Sequence, residues 1–252
     1  MAGRGWGAAV LAAAGVLAAG APAQAEFRVR LPLIEEREIA IEHNGSYGLD
    51  GRPEKRGEQS YTLELEAAVN ASWLTEFETE GGREPGPDER NRLTALVWEN
   101  LFVLTEPGEH WADLGFFAEY GRALPHRSAD SVSFGPILSK VWGPTVNTLN
   151  VFFTKDVGSH AAGRTQLNLA WQTRFILNPR IEPGIELYSA PGALGNFSTI
   201  GEQDHRAGPV LYGTLRSFGT SKLNYEVGYL FGLTRAAPQG TVKWKLEYEF
   251  RF

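Results

Sequence analysis

Acidic and basic side chains recur at every second residue in several stretches of this 252-residue sequence. Glu64, Glu66, Asp113, Glu119, Glu182, Glu186, Glu226, Glu247 and Glu249 hold the polar places of alternating runs, as do Arg174, Lys243, Lys245 and Arg251. Two chemistries suit such a set. An acidic excess lining a water-filled passage favours cations. Opposite charges on neighbouring strands pair instead and brace the wall, and closing the first strand on the last would bring Glu36 near Arg251 and Glu42 near Lys243 or Lys245. Hydrolysis asks for a nucleophile, a base and an orienting group. His126-Arg127-Ser128, Ser159-His160 and Asp204-His205 offer the residue types, but adjacent residues on an extended chain point apart, so adjacency assembles nothing. We therefore expect no enzyme, with lipid hydrolysis at a barrel rim as an alternative. With no Cys and five His, disulfides and thiolate metal sites are excluded, and neither a metal nor another cofactor is expected. The formal charge of −6 argues against nucleic acid as a partner.

These charges need elements that separate wet from oily places. Thr165 to Leu177 sets Leu167, Leu169, Trp171, Phe175 and Leu177 against Gln166, Asn168, Gln172 and Arg174. From Thr241 to Phe252, Val242, Trp244, Leu246, Tyr248, Phe250 and Phe252 alternate with Lys243, Lys245, Glu247, Glu249 and Arg251. Period two means strands with one apolar face. The stretches 34–42, 60–70, 72–80, 92–104, 111–122, 131–141, 146–157, 180–188, 206–215 and 222–233 repeat the design, giving about twelve strands and an all-β chain. A single strand running 61–79 in place of two would make the count odd. Connectors after odd strands read as long (43–59, 81–91, 123–130, 158–164, 189–205, 234–240), and those after even strands as short. Phe134-Gly135-Pro136-Ile137-Leu138 and Ala207-Gly208-Pro209-Val210-Leu211 form a faint internal repeat. Each Gly-Pro should bulge or bend its strand, because Pro cannot donate to the ladder.

Alternation does not say which face is outside. Twelve strands enclose a lumen too wide for a dry aliphatic filling, so the apolar face should meet lipid and the polar face water. Trp111 and Trp142 beside short turns, with Tyr61 and Tyr120 toward the other rim, read as interfacial girdles.

The ends of the chain carry addresses. Arg4, the charge-free small and apolar run from Trp6 to Ala21, and Ala23-Gln24-Ala25 have the form of a secretory signal cut after Ala25, so residues 1–25 are expected as a leader and 26–252 as the barrel. The last run, Trp244-Lys245-Leu246-Glu247-Tyr248-Glu249-Phe250-Arg251-Phe252, resembles the C-terminal assembly signal of Gram-negative outer-membrane β-barrels, with Trp244, Tyr248, Phe250 and Phe252 at its alternating aromatic places. The resemblance implies a transmembrane antiparallel β-barrel handled by the barrel-assembly machinery, surrounded by outer-membrane lipid and lipopolysaccharide, with both termini periplasmic. It is similar in this to uncharacterised transporter-type barrels. The expected function is a passive pore or transporter for small solutes. The alternative is a non-conducting structural or surface-interaction barrel that works through its long loops.

Overall fold

In a computed structural model, the structure describes residues 27–86, 89–124, 128–216 and 221–251, without the side chains of Arg216 and Arg251. The expected leader, His126, Arg127 and Phe252 lie outside the described residues. Twelve long strands follow in chain order: β1 (Glu38–Leu49), β2 (Gln59–Asn70), β3 (Trp73–Arg83), β4 (Arg92–Val103), β5 (Asp113–Ala123), β6 (Asp130–Trp142), β7 (Thr145–Val157), β8 (Gln166–Phe175), β9 (Glu182–Ala193), β10 (Asp204–Arg216), β11 (Lys222–Gly232) and β12 (Gly240–Arg251). Every neighbour pairs antiparallel, and β1 pairs β12 from Glu38 opposite Arg251 to Leu49 opposite Gly240. The sheet is therefore a closed barrel with no free long edge. A two-residue strand, Asn196–Phe197, folds back on the end of β9.

Sidedness follows from burial. Phe77 is 61% exposed while Glu76 and Glu78 beside it are 1% and 4% exposed. Leu63, Leu65, Trp98, Ile185, Val227 and Leu246 likewise face out, and Glu42, Glu64, Glu99, Glu186 and Lys243 face in. A strand of twelve residues is about 40 Å long, and at the ~40° tilt usual in such barrels it rises about 30 Å, the thickness of a bilayer core. Apolar outside, polar inside and matched in height, the chain is a transmembrane β-barrel. The lumen is not wholly polar, however. Leu101, Phe117 and Ile137 form one buried apolar cluster, and Tyr188, Val210, Tyr212 and Leu230 another.

The described ladders refine the expected elements. The join at Asn70 is a real turn, because β2 pairs β3 down to Asn70 opposite Trp73. The first strand lies further along the chain than expected, so 43–49 is wall rather than loop and the connector shrinks to 50–58. Similarly β9 continues through Ala193, shortening the connector expected at 189–205. The turn after β4 spans 104–112 and is no shorter than several connectors at the opposite rim, so the long-short parity is blunted. At Gly135-Pro136 and Gly208-Pro209 the ladder to the following strand lapses and resumes in the same register, so each is a break rather than a bulge.

Candidate functional site

The segment ahead of β1 lies inside the barrel. Phe27 packs edge-on against Tyr188 with ring centroids 5.1 Å apart, and Phe27 and Val29 join the Tyr188–Leu230 cluster. Ile34 joins the Phe117 cluster on the far wall. Pro32 lies against Gly115, and Glu35 receives Lys222 Nζ at 2.8 Å near the short-turn rim. Arg37, at φ 59°, stands where the chain reverses into β1. Residues 27–37 form no ladder with the wall; side chains hold them.

The strongest holds are two arginines. Arg28 Nη1 lies 2.5 Å from Glu64 Oε2, 3.1 Å from Glu42 Oε1 and 3.5 Å from Glu76 Oε2, while its Nη2 is 3.4 Å from Glu66 Oε1. Arg30 pairs with Glu76 at 2.9 Å and with Glu99, and its guanidinium carbon sits 4.4 Å above the Phe117 ring. Asn150, fully buried on β7, grips the Arg30 backbone twice. Its Oδ1 accepts from Arg30 N at 2.7 Å and its Nδ2 donates to Arg30 O at 2.9 Å.

Strands β1–β4 present these carboxylates close together. Glu64, Glu78 and Glu99 bring oxygens within 4.8 Å of one another, as do Glu64, Glu66 and Glu76. Such crowding in a dry setting demands positive charge. The wall itself supplies Lys245, which pairs with Glu42 and with Glu247. Asn44 and Thr62 donate to Glu64, and Asn44 also to Glu42.

The opposite wall is self-sufficient. Lys243 Nζ lies 2.8 Å from Glu186 and 3.3 Å from Glu226, and the hydroxyls of Tyr188 and Tyr212 each donate to Glu186 at 2.7 Å. Arg174 pairs with Glu182 and lies over the Tyr212 ring. One side of the lumen thus carries its own cations. The other borrows two from a segment outside the wall.

Most residues expected in the lumen take part in these two networks or lie close by. Glu119 accepts from Ser133 at 3.2 Å. Asn224 donates to Glu247 and Glu249, and Lys222 lies 3.5 Å from Glu249. Asp113 instead accepts from Gly108 N at 2.7 Å and so belongs to the rim turn. In the ladder Arg251 stands opposite Glu38, and Glu36 lies ahead of β1 rather than beside it. At the short-turn rim, Trp111 and Trp142 stand out, and Lys140 lies over the Trp111 ring. Toward the other rim, Tyr61 covers Gly81, and Tyr120 donates to Asp130 at 2.7 Å. Trp244, Tyr248 and Phe250 lie on the outward face of β12. Asp204 is engaged by Arg206 and His205 by Gln203, so that pair assembles no catalytic set.

Sequence reasoning missed Glu76, Glu78 and Glu99, although the same alternation places them opposite Phe77 and Trp98. It also missed Arg28 and Arg30. The run Phe27-Arg28-Val29-Arg30-Leu31 alternates like a strand, but it falls outside every counted one.

The fold and this site define a closed transmembrane β-barrel with a charged lumen occupied by the segment ahead of its first strand. No protein-family model matches the chain, and neither does any curated protein. Among solved structures it is similar to a bacterial polysaccharide outer membrane secretin, at 7% identity and TM-score 0.41 over 87% of this chain and 100% of that one. It is similar also to the outer membrane channel DcaP of Acinetobacter baumannii, at 9% identity and TM-score 0.35 over 84% and 96% of the two chains. A third similar structure is Salmonella typhi OmpF in complex with daunomycin, at 6% identity and TM-score 0.36 over 84% and 96%.

Proposed function

We propose that the protein is a pore of the bacterial outer membrane whose lumen passes small cations when residues 27–37 withdraw, and is closed while they stay. The observation that carries this reading is the division of charge: the glutamates of β1–β4 are matched by Arg28 and Arg30, which ride on a strap joined to the wall through Arg37. A barrel built only to be rigid would place those cations on its strands, as β9–β12 do with Lys243. Withdrawal would leave an unbalanced acidic wall, which admits water and favours cations. Removal of residues 1–25 belongs to this proposal, supported by the charge-free run and the Ala23-Gln24-Ala25 site at the start of the sequence. So do periplasmic termini, lipopolysaccharide around the opposite rim, and recognition of β12 by the assembly machinery.

A planar-bilayer recording tests it. The wild-type barrel should be nearly silent, and the full chain carrying Arg28→Ala with Arg30→Ala should open to a current that prefers K⁺ over Cl⁻. Silence of a folded double variant would sink the reading in favour of a non-conducting barrel working through its loops. The filled lumen of the described state is what favours that second reading.

A further inference from the structure

The contacts around Arg28–Arg30 are those of a peptide-binding site. Asn150 donates to the carbonyl and accepts from the amide of a single residue, which is how a ladder partner reads an extended backbone whatever its side chains. Three consecutive side chains are then read separately. The first guanidinium meets Glu42, Glu64, Glu66 and Glu76. Val29 enters the apolar cluster of Tyr188, Val210, Tyr212 and Leu230. The second guanidinium carbon lies 4.4 Å from the Phe117 ring centroid while its two terminal nitrogens reach Glu76 and Glu99 separately, an arrangement that suits a planar fork better than an ammonium. Every reading group stands on the wall. None belongs to the segment that is read.

We infer that this lumen site binds extended peptides of the pattern arginine–apolar–arginine supplied from solution, and that residues 27–33 are its built-in competitor. The inference deepens the cation-pore reading by naming a ligand class: short basic peptides carrying guanidinium groups two residues apart. The tether gives the internal segment an effective concentration in the millimolar range. A free peptide therefore competes poorly with the wild-type segment and well with a weakened one.

The test is fluorescence anisotropy in detergent, with the full-length barrel and a labelled peptide, Phe-Arg-Val-Arg-Leu-Pro-Leu, that copies residues 27–33. The R28A/R30A barrel should bind it at least about tenfold more tightly than wild type. The same peptide with lysine at both arginine places should bind the variant about tenfold more weakly. Adding Asn150→Ala to the variant should also weaken binding about tenfold, while the β-sheet circular dichroism stays unchanged. If R28A/R30A does not fold, R28K/R30K serves, because it keeps the charge and loses the fork. Equal binding of the arginine and lysine peptides, or no binding to either folded variant, overturns the inference. Because the readout is binding, a silent barrel that takes the peptide overturns only the pore, and a conducting barrel that ignores it overturns only the peptide site.

Discussion

Residue types in this barrel are fixed by what stands across the strand pair. Gly45 on β1 lies opposite Trp244 on β12, and a β-carbon there would sit 2.2 Å from the indole ring. The ring covers the bare backbone at the closing seam, with His43 Nε2 3.4 Å from its Nε1. Gly45→Ala should therefore push the indole off the seam and cost about 1–3 kcal/mol, as overpacking does. Urea unfolding of the barrel in lipid vesicles, compared with Ala40→Gly on the inward face of the same strand, measures it. An unchanged midpoint for Gly45→Ala would show that the ring has room to move. The same residue-scale logic explains why the lumen was only half legible. Alternation gives the inward parity of Glu64 or Lys243, but not which carboxylate meets which cation, since Arg28 reaches glutamates 14 to 48 positions away in sequence.

At the scale of elements, two features hold the seam and the strap. The connector after β1 folds on Asp50, whose carboxylate accepts from Arg52 N, Nε and Nη2 at 2.7, 2.9 and 2.6 Å and from Gln239 N at 3.0 Å. Arg52 also donates to Arg235 O and Ala237 O, tying this connector to the one before β12. The hydrogen bonds from Arg52 hold the Asp50 carboxyl well below the usual carboxylate range. A depressed value in the folded state means that the clasp contributes fully above the unfolded value near 4 and is lost as pH falls through the folded one. Hydrogen exchange of residues 50–58 should therefore stay constant from pH 7 down to about 4, after correction for the intrinsic rate, and accelerate only below that. Asp50→Asn should accelerate it at every pH. The strap offers a sharper handle, because the sequence has no cysteine. A β-carbon on Gly115 would lie 2.9 Å from Pro32 Cβ, shorter than the usual disulfide spacing of about 3.5–4.5 Å, so a small outward shift of the strap brings the two into bonding range. Oxidised P32C/G115C should lock the lumen shut in the R28A/R30A background, and reductant should restore its current in the bilayer recording. A current unaffected by oxidation in a quantitatively crosslinked sample would exclude movement at residue 32 as the gate.

The whole molecule was legible where a repeated physical rule wrote it. Twelve strands, their sidedness and their closure follow from period two and the width of the lumen. The first strand drifted because 34–37, Ile34-Glu35-Glu36-Arg37, continues the same polar and apolar mixture, whereas the ladder begins only at Glu38. The strap escaped notice because its alternating run, Phe27 to Leu31, is only five residues long, ends at Pro32 and joins no ladder. It makes sense only once a wall exists for it to neutralise. What the molecule must satisfy as a whole is the bilayer, and that makes a depth-dependent prediction. Leu65 and Phe77 face each other across the middle of β2 and β3 on the outer surface, while Leu114 lies on that surface at the start of β5. An arginine at Leu65 must place its charge near the midplane, at a cost of about 2–4 kcal/mol, whereas at Leu114 it reaches the interface for about 0–1 kcal/mol. Reversible unfolding in vesicles should rank Leu65→Arg and Phe77→Arg well below Leu114→Arg, with Leu114→Arg close to wild type. Equal stabilities for all three would mean that this surface is not bathed in hydrocarbon, and the pore, the strap and the peptide site would all need a different setting.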